Sequence, residues 1–137
     1  NSCGQHEIAT IGFFGGATRV NNSMTPTYTM LFGGSAGEQG ELAKAAMRVP
    51  AKRVIDTVLK VIELYKQQRT GNESLHQWVV NVTKGQGPAG IKNLEGLKAA
   101  LAQVIQLPTP DQDPEAYRDF GSDSTFSAKT ARGECAA

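Results

Sequence analysis

The chain has 137 residues, of which 39% are hydrophobic and 20% charged, and this composition is typical of one globular domain rather than of a disordered chain. The formal net charge of +1 offers no general electrostatic basis for binding nucleic acid or an anionic membrane surface. No apolar run reaches the roughly 20 residues that a membrane-spanning helix needs, so no membrane association is expected. The chain does not begin with Met, so we expect its N-terminus to be a cut, and two lone thiols, Cys3 and Cys135, favour a reducing, cytoplasmic location.

The N-terminal third of the chain predicts two strands. Residues 7–14 are rich in β-branched and aromatic side chains and are followed by paired glycines, which is typical of a strand. Residues 27–32 alternate large apolar side chains on one face, which predicts a second strand. The Asn-Asn-Ser sequence at 21–23 indicates a turn, so we expect an antiparallel hairpin with a long connection. Residues 42–49 fit either a short strand or a helical turn.

Three helices are predicted in the middle of the chain. Pro50 suits the first position of a helix, where a backbone N–H is not needed, and Gly71 is expected to end that helix. Asn72 is expected to cap a second helix, although the valines in residues 77–83 also fit a strand. An apolar stripe with helical spacing predicts a third helix within residues 91–105.

The C-terminal part predicts little regular structure. Residues 107–114 contain three prolines and two aspartates, which indicates an extended connector. The aromatic residues Tyr117, Phe120 and Phe126 follow without periodicity, and we expect them to anchor a tail on the surface. The predicted fold class is therefore α+β, a small antiparallel sheet packed against two or three helices, with an irregular C-terminal tail.

Few residues carry recognisable chemistry. His6 and His76 are 70 positions apart, so each is expected to be a solvated or hydrogen-bonded residue rather than a metal ligand. The glycine-rich stretches at 12–16 and 33–37 do not fit a dinucleotide-binding pattern, and no phosphate-binding loop or Cys-x-x-Cys motif is present. Composition and periodicity alone thus indicate a small α+β domain of undefined function, and no catalytic residue is assigned.

The first fourteen residues contain a more informative pattern. The sequence NSCGQH at 1–6, followed by IGF at 11–13, resembles the iron–sulfur and sirohaem signature of the nitrite and sulfite reductase family. That signature has two cysteines separated by three residues, then six residues, an acidic residue, and an apolar–small–apolar triplet. Cys3 matches the second cysteine, and Thr10 stands where the family usually has Asp or Glu. The first cysteine would lie two positions before Asn1, outside this chain.

The resemblance continues along the chain. The segment YTMLFGG at 28–34 is similar to a family strand that ends in paired glycines, and residues 49–78 are similar to its closing helical segment. The resemblance covers residues 1–85, which we therefore expect to be the C-terminal part of a sirohaem and 4Fe–4S domain. Residues 86–106 are predicted to add a helix, and residues 107–137 an extended tail.

The resemblance also implies site residues and a reaction. Members of the family hold a 4Fe–4S cluster with four thiolates, one of which also contacts the sirohaem iron. Cys3 is thus implied as the cluster ligand and bridge, and Asn1, Ser2, Gly4 and Gln5 as the residues that shape the cofactor loop. The parent would reduce sulfite to sulfide or nitrite to ammonia with six electrons. Because three cluster ligands would lie outside this chain, the isolated chain is expected to be inactive and to lack both cofactors.

The implied partners are the remainder of the reductase chain and an electron donor, either ferredoxin or a flavoprotein. The basic residues between Lys44 and Arg69 are expected to form an exposed helix face, part of which could dock an acidic donor. The alternative is an autonomous binding or regulatory module, in which helices within residues 50–105 form a docking surface and Cys3 is incidental.

Overall fold

The N-terminal half of the chain forms a three-stranded antiparallel sheet. This computed structural model describes residues 4–38 and 40–127. The strands are β1 (Ile11–Val20), β2 (Ser23–Phe32) and β3 (Lys44–Pro50), and β2 lies in the centre of the sheet. Together with the helices that follow, this sheet confirms the predicted α+β class.

The β1–β2 hairpin is longer and tighter than the sequence predicted. Asn21 and Asn22 have φ of 45° and 64°, a left-handed conformation that asparagine tolerates better than most residues. Two such residues in succession form the short turn that matches the twist of paired strands. The predicted long connection is therefore wrong, because β1 extends to Val20 and pairs it with Ser23. The predicted strand at 7–14 is also shifted, since residues 5–7 form a 3₁₀ turn before β1 begins.

The ambiguous segment at 42–49 is a strand, and the proposed role of Pro50 is wrong. Pro50 is the last residue of β3, with an extended backbone (φ −56°, ψ 139°), and is paired with Thr27. A 3₁₀ turn at Ala51–Arg53 then leads into the first helix at Val54. Proline is tolerated here because β3 lies at the edge of the sheet, where a missing N–H need not break a ladder bond.

The three predicted helices are present, with different ends. Ser74, rather than Asn72, caps the second helix through a reciprocal pair of hydrogen bonds with Gln77, which confirms the helix over the alternative strand. The first helix ends three residues before Gly71, and the third begins after its cap, Asn93. The helices are α1 (Val54–Gln68), α2 (Leu75–Thr83) and α3 (Leu94–Leu101). No helix in the described part of the chain is long and apolar enough to cross a membrane.

One hydrophobic core joins the sheet to all three helices. Met30 and Phe32 of β2 are fully buried in the same cluster as Leu97 and Leu101 of α3. The other buried members of this cluster are Met47, Val49, Val61, Leu64, Trp78, Val79, Val82 and Ile91. The helix predicted as an addition within residues 86–106 therefore shares its core with the preceding residues, while the domain boundaries themselves stay a prediction.

The described part of the tail is irregular, as predicted, and one of its aromatic residues anchors it. Tyr117 is only 2% exposed, and its hydroxyl donates a hydrogen bond to the carbonyl of Pro108 at 2.7 Å. The neighbouring carbonyl of Ala116 accepts a hydrogen bond from the buried Thr25 hydroxyl. Phe120 is 59% exposed instead, and the ammonium of Lys52 lies 4.4 Å from its ring centre. The bond between Thr25 and Ala116 thus attaches the tail to β2, and the buried Tyr117 next to it is bonded to the connector at Pro108.

Candidate cofactor loop

The predicted cofactor residues lie just before the sheet and are only partly described. Asn1, Ser2 and Cys3 fall outside the described residues, so their roles stay predictions. Gly4 and Gln5 are exposed and lead into the 3₁₀ turn. We refer to residues 4–10, which connect Cys3 to β1, as the N-terminal loop.

Backbone hydrogen bonds attach the N-terminal loop to the segment that follows β2. The amides of Gly33 and Gly34 donate to the carbonyls of Thr10 and Ala9 at 2.9 and 3.0 Å. The amide of Ala43 donates to the carbonyl of Glu7 at 2.7 Å. Residues 7–10 are therefore hydrogen-bonded on one side, although they lie outside β1. The loop has a defined position relative to the sheet.

Two glycines let the loop approach the sheet more closely than any other residue would. A Cβ atom added to Gly12 would overlap the carbonyl oxygen of His6, and one added to Gly34 would overlap that of Glu7. Gly12 is the small residue of the apolar–small–apolar triplet. The structure thus gives a physical reason for this position, because the turn after Cys3 packs directly on the backbone of β1.

A side-chain contact ties the same loop to α2. Thr10 Oγ1 lies 3.0 Å from His76 Nδ1, within hydrogen-bond distance, and both residues are half-buried. The contact agrees with the expectation that His76 is hydrogen-bonded. Thr10 occupies the position where the family signature has an acidic residue. The partnership spans 66 positions of sequence, so no local pattern could have revealed it.

An open polar cleft of about 650 Å³ lies on α2 and the turn before it, and His76 is part of its lining. The carboxylate of Glu73 in this cleft already accepts hydrogen bonds from the Asn81 side chain at 2.7 Å and the Thr70 amide at 3.3 Å. Within residues 4–38 and 40–127, no group of three or more His, Cys, Asp or Glu side chains could hold a metal ion. A metal centre that used any of these described side chains would therefore need further ligands from outside the described residues.

The basic residues between Lys44 and Arg69 do not share one helix face, which corrects that expectation. Lys44 and Arg48 lie on β3, where Arg48 donates a hydrogen bond to the hydroxyl of Thr18 at 3.0 Å. Arg53 precedes α1 and lies 3.6 Å from the carboxylate of Asp113. The positive charges are thus distributed over several surfaces, and docking of an acidic electron donor stays a prediction.

Comparison with curated proteins shows one informative similarity. The chain is 28% identical over 90 residues to the assimilatory ferredoxin-dependent nitrite reductase of Haloferax mediterranei. The match covers 65% of this chain but only 15% of that enzyme. No family model matches the chain, and no solved structure does. The similarity supports a relationship to nitrite reductases, which are oxidoreductases, and agrees with the resemblance seen in the N-terminal sequence.

Proposed function

We propose that this chain is part of a larger nitrite or sulfite reductase that contains sirohaem and a 4Fe–4S cluster. In this proposal Cys3 provides one cluster thiolate and bridges to the haem iron. The observation that carries the proposal is the packing of the N-terminal loop on Gly12. This packing explains why the triplet that follows Cys3 in the signature has a small residue in its middle, since the loop after Cys3 contacts Gly12 directly. The similarity to a nitrite reductase supports the same assignment.

The described residues around Cys3 fit such a cofactor. The first amides of a short helical turn have no partner within the turn itself. Accordingly, the backbone N–H groups of Gln5 and His6 donate no hydrogen bond to any described residue. Amide N–H groups near a cluster can donate to its sulfur atoms and tune its potential. Gly4 has φ of +83°, so the chain changes direction immediately after the thiolate without steric strain.

This chain's own contribution would be to hold the thiolate. When bound, the coupled cofactors would pass six electrons, delivered by the electron donor, to nitrite to form ammonia or to sulfite to form sulfide. The backbone bonds from Gly33, Gly34 and Ala43 would keep the loop from moving away from the sheet. A ligand held in this way costs little entropy to order when the cofactor binds. The remaining cluster ligands, the substrate site and the donor site, for ferredoxin or a flavoprotein in the cytoplasm, would belong to the rest of the enzyme.

The test uses the complete product of the gene that encodes this chain. We expect that protein to contain iron and to show sirohaem absorption, and we expect Cys3→Ser to abolish nitrite or sulfite reduction and change the cluster signal. Cys135→Ser is the matched control, because it removes the chain's other cysteine and should leave turnover unchanged. A protein without iron and sirohaem, or one that keeps full turnover as Cys3→Ser, would refute the proposal. The isolated chain should be colourless and inactive.

A binding or regulatory module is the second candidate, and one observation favours it. Ile55 and Leu59 lie one turn apart on α1 and are 67% and 60% exposed, an arrangement typical of a contact surface. In this case the chain would act without iron, and Cys3→Ser would have no effect. Charged replacements, Ile55→Lys and Leu59→Lys, would then abolish binding of the partner while the chain remains folded.

A further inference from the structure

The outer edge of β1 presents a row of unused backbone groups. β1 pairs with β2 over ten consecutive residues, and no other strand of the described residues pairs with β1. In a hairpin with a two-residue turn, the flanking residues bond to each other, and bonded residues then alternate along each strand. Counting back from Val20, the even-numbered residues bond to β2. The bond from the Gly33 amide to the Thr10 carbonyl continues this even series.

The backbone N–H and C=O groups of the odd-numbered residues therefore point away from the sheet. Among the described residues, no backbone or side-chain group hydrogen-bonds to these groups between Ile11 and Arg19. The middle of the strand is also open, since Gly15 and Gly16 are exposed and Phe14 is 41% exposed. The edge is long enough to accept a complete additional strand.

The two edges of the sheet differ in how they are protected. β3 carries Lys44 and Arg48 and ends at Pro50, and it contains an irregularity opposite Met30 and Leu31. Lysine, proline and irregular pairing are the usual features that keep an exposed edge strand from pairing further. β1 has no proline, a continuous register, and Arg19 as its one charged residue. Only the β1 edge therefore retains the features of a pairing surface.

We propose that the outer edge of β1 pairs with a β-strand from the part of the protein outside these 137 residues. This inference rests on the proposal that the chain belongs to a larger protein. The length of the related enzyme supports a strand from the same protein as the one that pairs with β1. The matched segment is 15% of that enzyme, so most of the enzyme has no counterpart in these 137 residues. Addition of a strand to an open edge uses main-chain hydrogen bonds and does not require a particular side-chain sequence.

Hydrogen exchange resolved to single amides tests the pairing, and the strand contains its own controls. In the 137-residue chain, we expect the outward amides of Phe13 and Gly15 to exchange rapidly and the inward amides of Phe14 and Gly16 to be protected. In the complete gene product, the outward amides should slow by about 100-fold or more, because they then open only with the sheet. Inward amides should be protected in both proteins. Outward amides that remain fast in the complete protein would overturn the inference.

A pair of variants at one position separates edge pairing from stability. Gly15→Pro removes an outward N–H while leaving the bonds to β2, and Gly15→Ala keeps that N–H with only an ordinary contact, Tyr28 Cε1 at 3.9 Å. In the complete protein, Gly15→Pro should speed exchange at Phe13 and Ala17 by at least about 10-fold, whereas Gly15→Ala should not. Equal exchange in the two variants would contradict edge pairing.

Two further outcomes separate this inference from its rivals. Concentration-dependent dimers of the isolated chain, with protected outward amides, would assign the edge to a second copy and overturn the inference. A complete protein that lacks iron and sirohaem but protects the outward amides would refute the reductase and support the edge pairing. A gene that encodes these residues alone would overturn both proposals.

Discussion

Replacement of Gly12 by alanine tests the close packing of the N-terminal loop on β1. The added methyl group would overlap the carbonyl oxygen of His6, and the loop is held nearby by the Gly33–Thr10 backbone bond. Overpacking at a constrained position typically costs about 1–3 kcal/mol. For a domain of this size, we expect a decrease in melting temperature of roughly 4–12 °C. If the loop moves away and β1 keeps its position, the free energy is lost as local opening of the N-terminal loop, and the melting temperature changes less.

The matched control is Gly16→Ala in the same strand. Its new Cβ would lie 3.7 Å from Thr27 Oγ1, an ordinary contact, so the free energy of unfolding should stay constant or rise by about 0.4–1 kcal/mol. Thermal unfolding by circular dichroism measures the global effect, and hydrogen exchange of the Gly34 and Ala43 amides measures release of the loop. Equal melting temperatures for both variants, together with unchanged exchange at these two amides, would refute the argument from close packing.

Three smaller effects follow from individual contacts. Thr10→Val and His76→Ala should each lower the free energy of unfolding by about 0.5–1.5 kcal/mol, and in urea unfolding their double variant should cost no more than the larger single change. Ser74→Ala should lower it by about 1 kcal/mol, measured in the same way, because the N-cap of α2 is lost; Ser74→Asp should not. Burial raises the pKa of Tyr117, so the folded chain keeps this proton where the unfolded chain loses it. Stability should therefore decrease as pH rises above about 10, and Tyr117→Phe should reduce this dependence in urea unfolding between pH 8 and 11.

The candidate site illustrates which information is local. Cys3 and the triplet at 11–13 were identified from a linear pattern, because the candidate ligand and the glycine on which the following loop packs lie close together in sequence. The partner of Thr10 was not found, since His76 lies on α2, 66 positions further along the chain. The Gly34 contact with the loop was missed for the same reason, because glycine carries no side chain whose pattern could indicate a distant neighbour.

The sequence by itself determined the α+β class and the existence of three helices, because the spacing of apolar side chains is a local property that follows the geometry of each element. It also indicated the candidate ligand. Only the tertiary structure decided where the elements end. Pro50 is the last residue of a strand rather than the first residue of a helix. Residues 7–10 lie outside the sheet and accept hydrogen bonds from the segment between β2 and β3. These choices depend on hydrogen-bond partners that are distant in sequence, so no local preference could specify them.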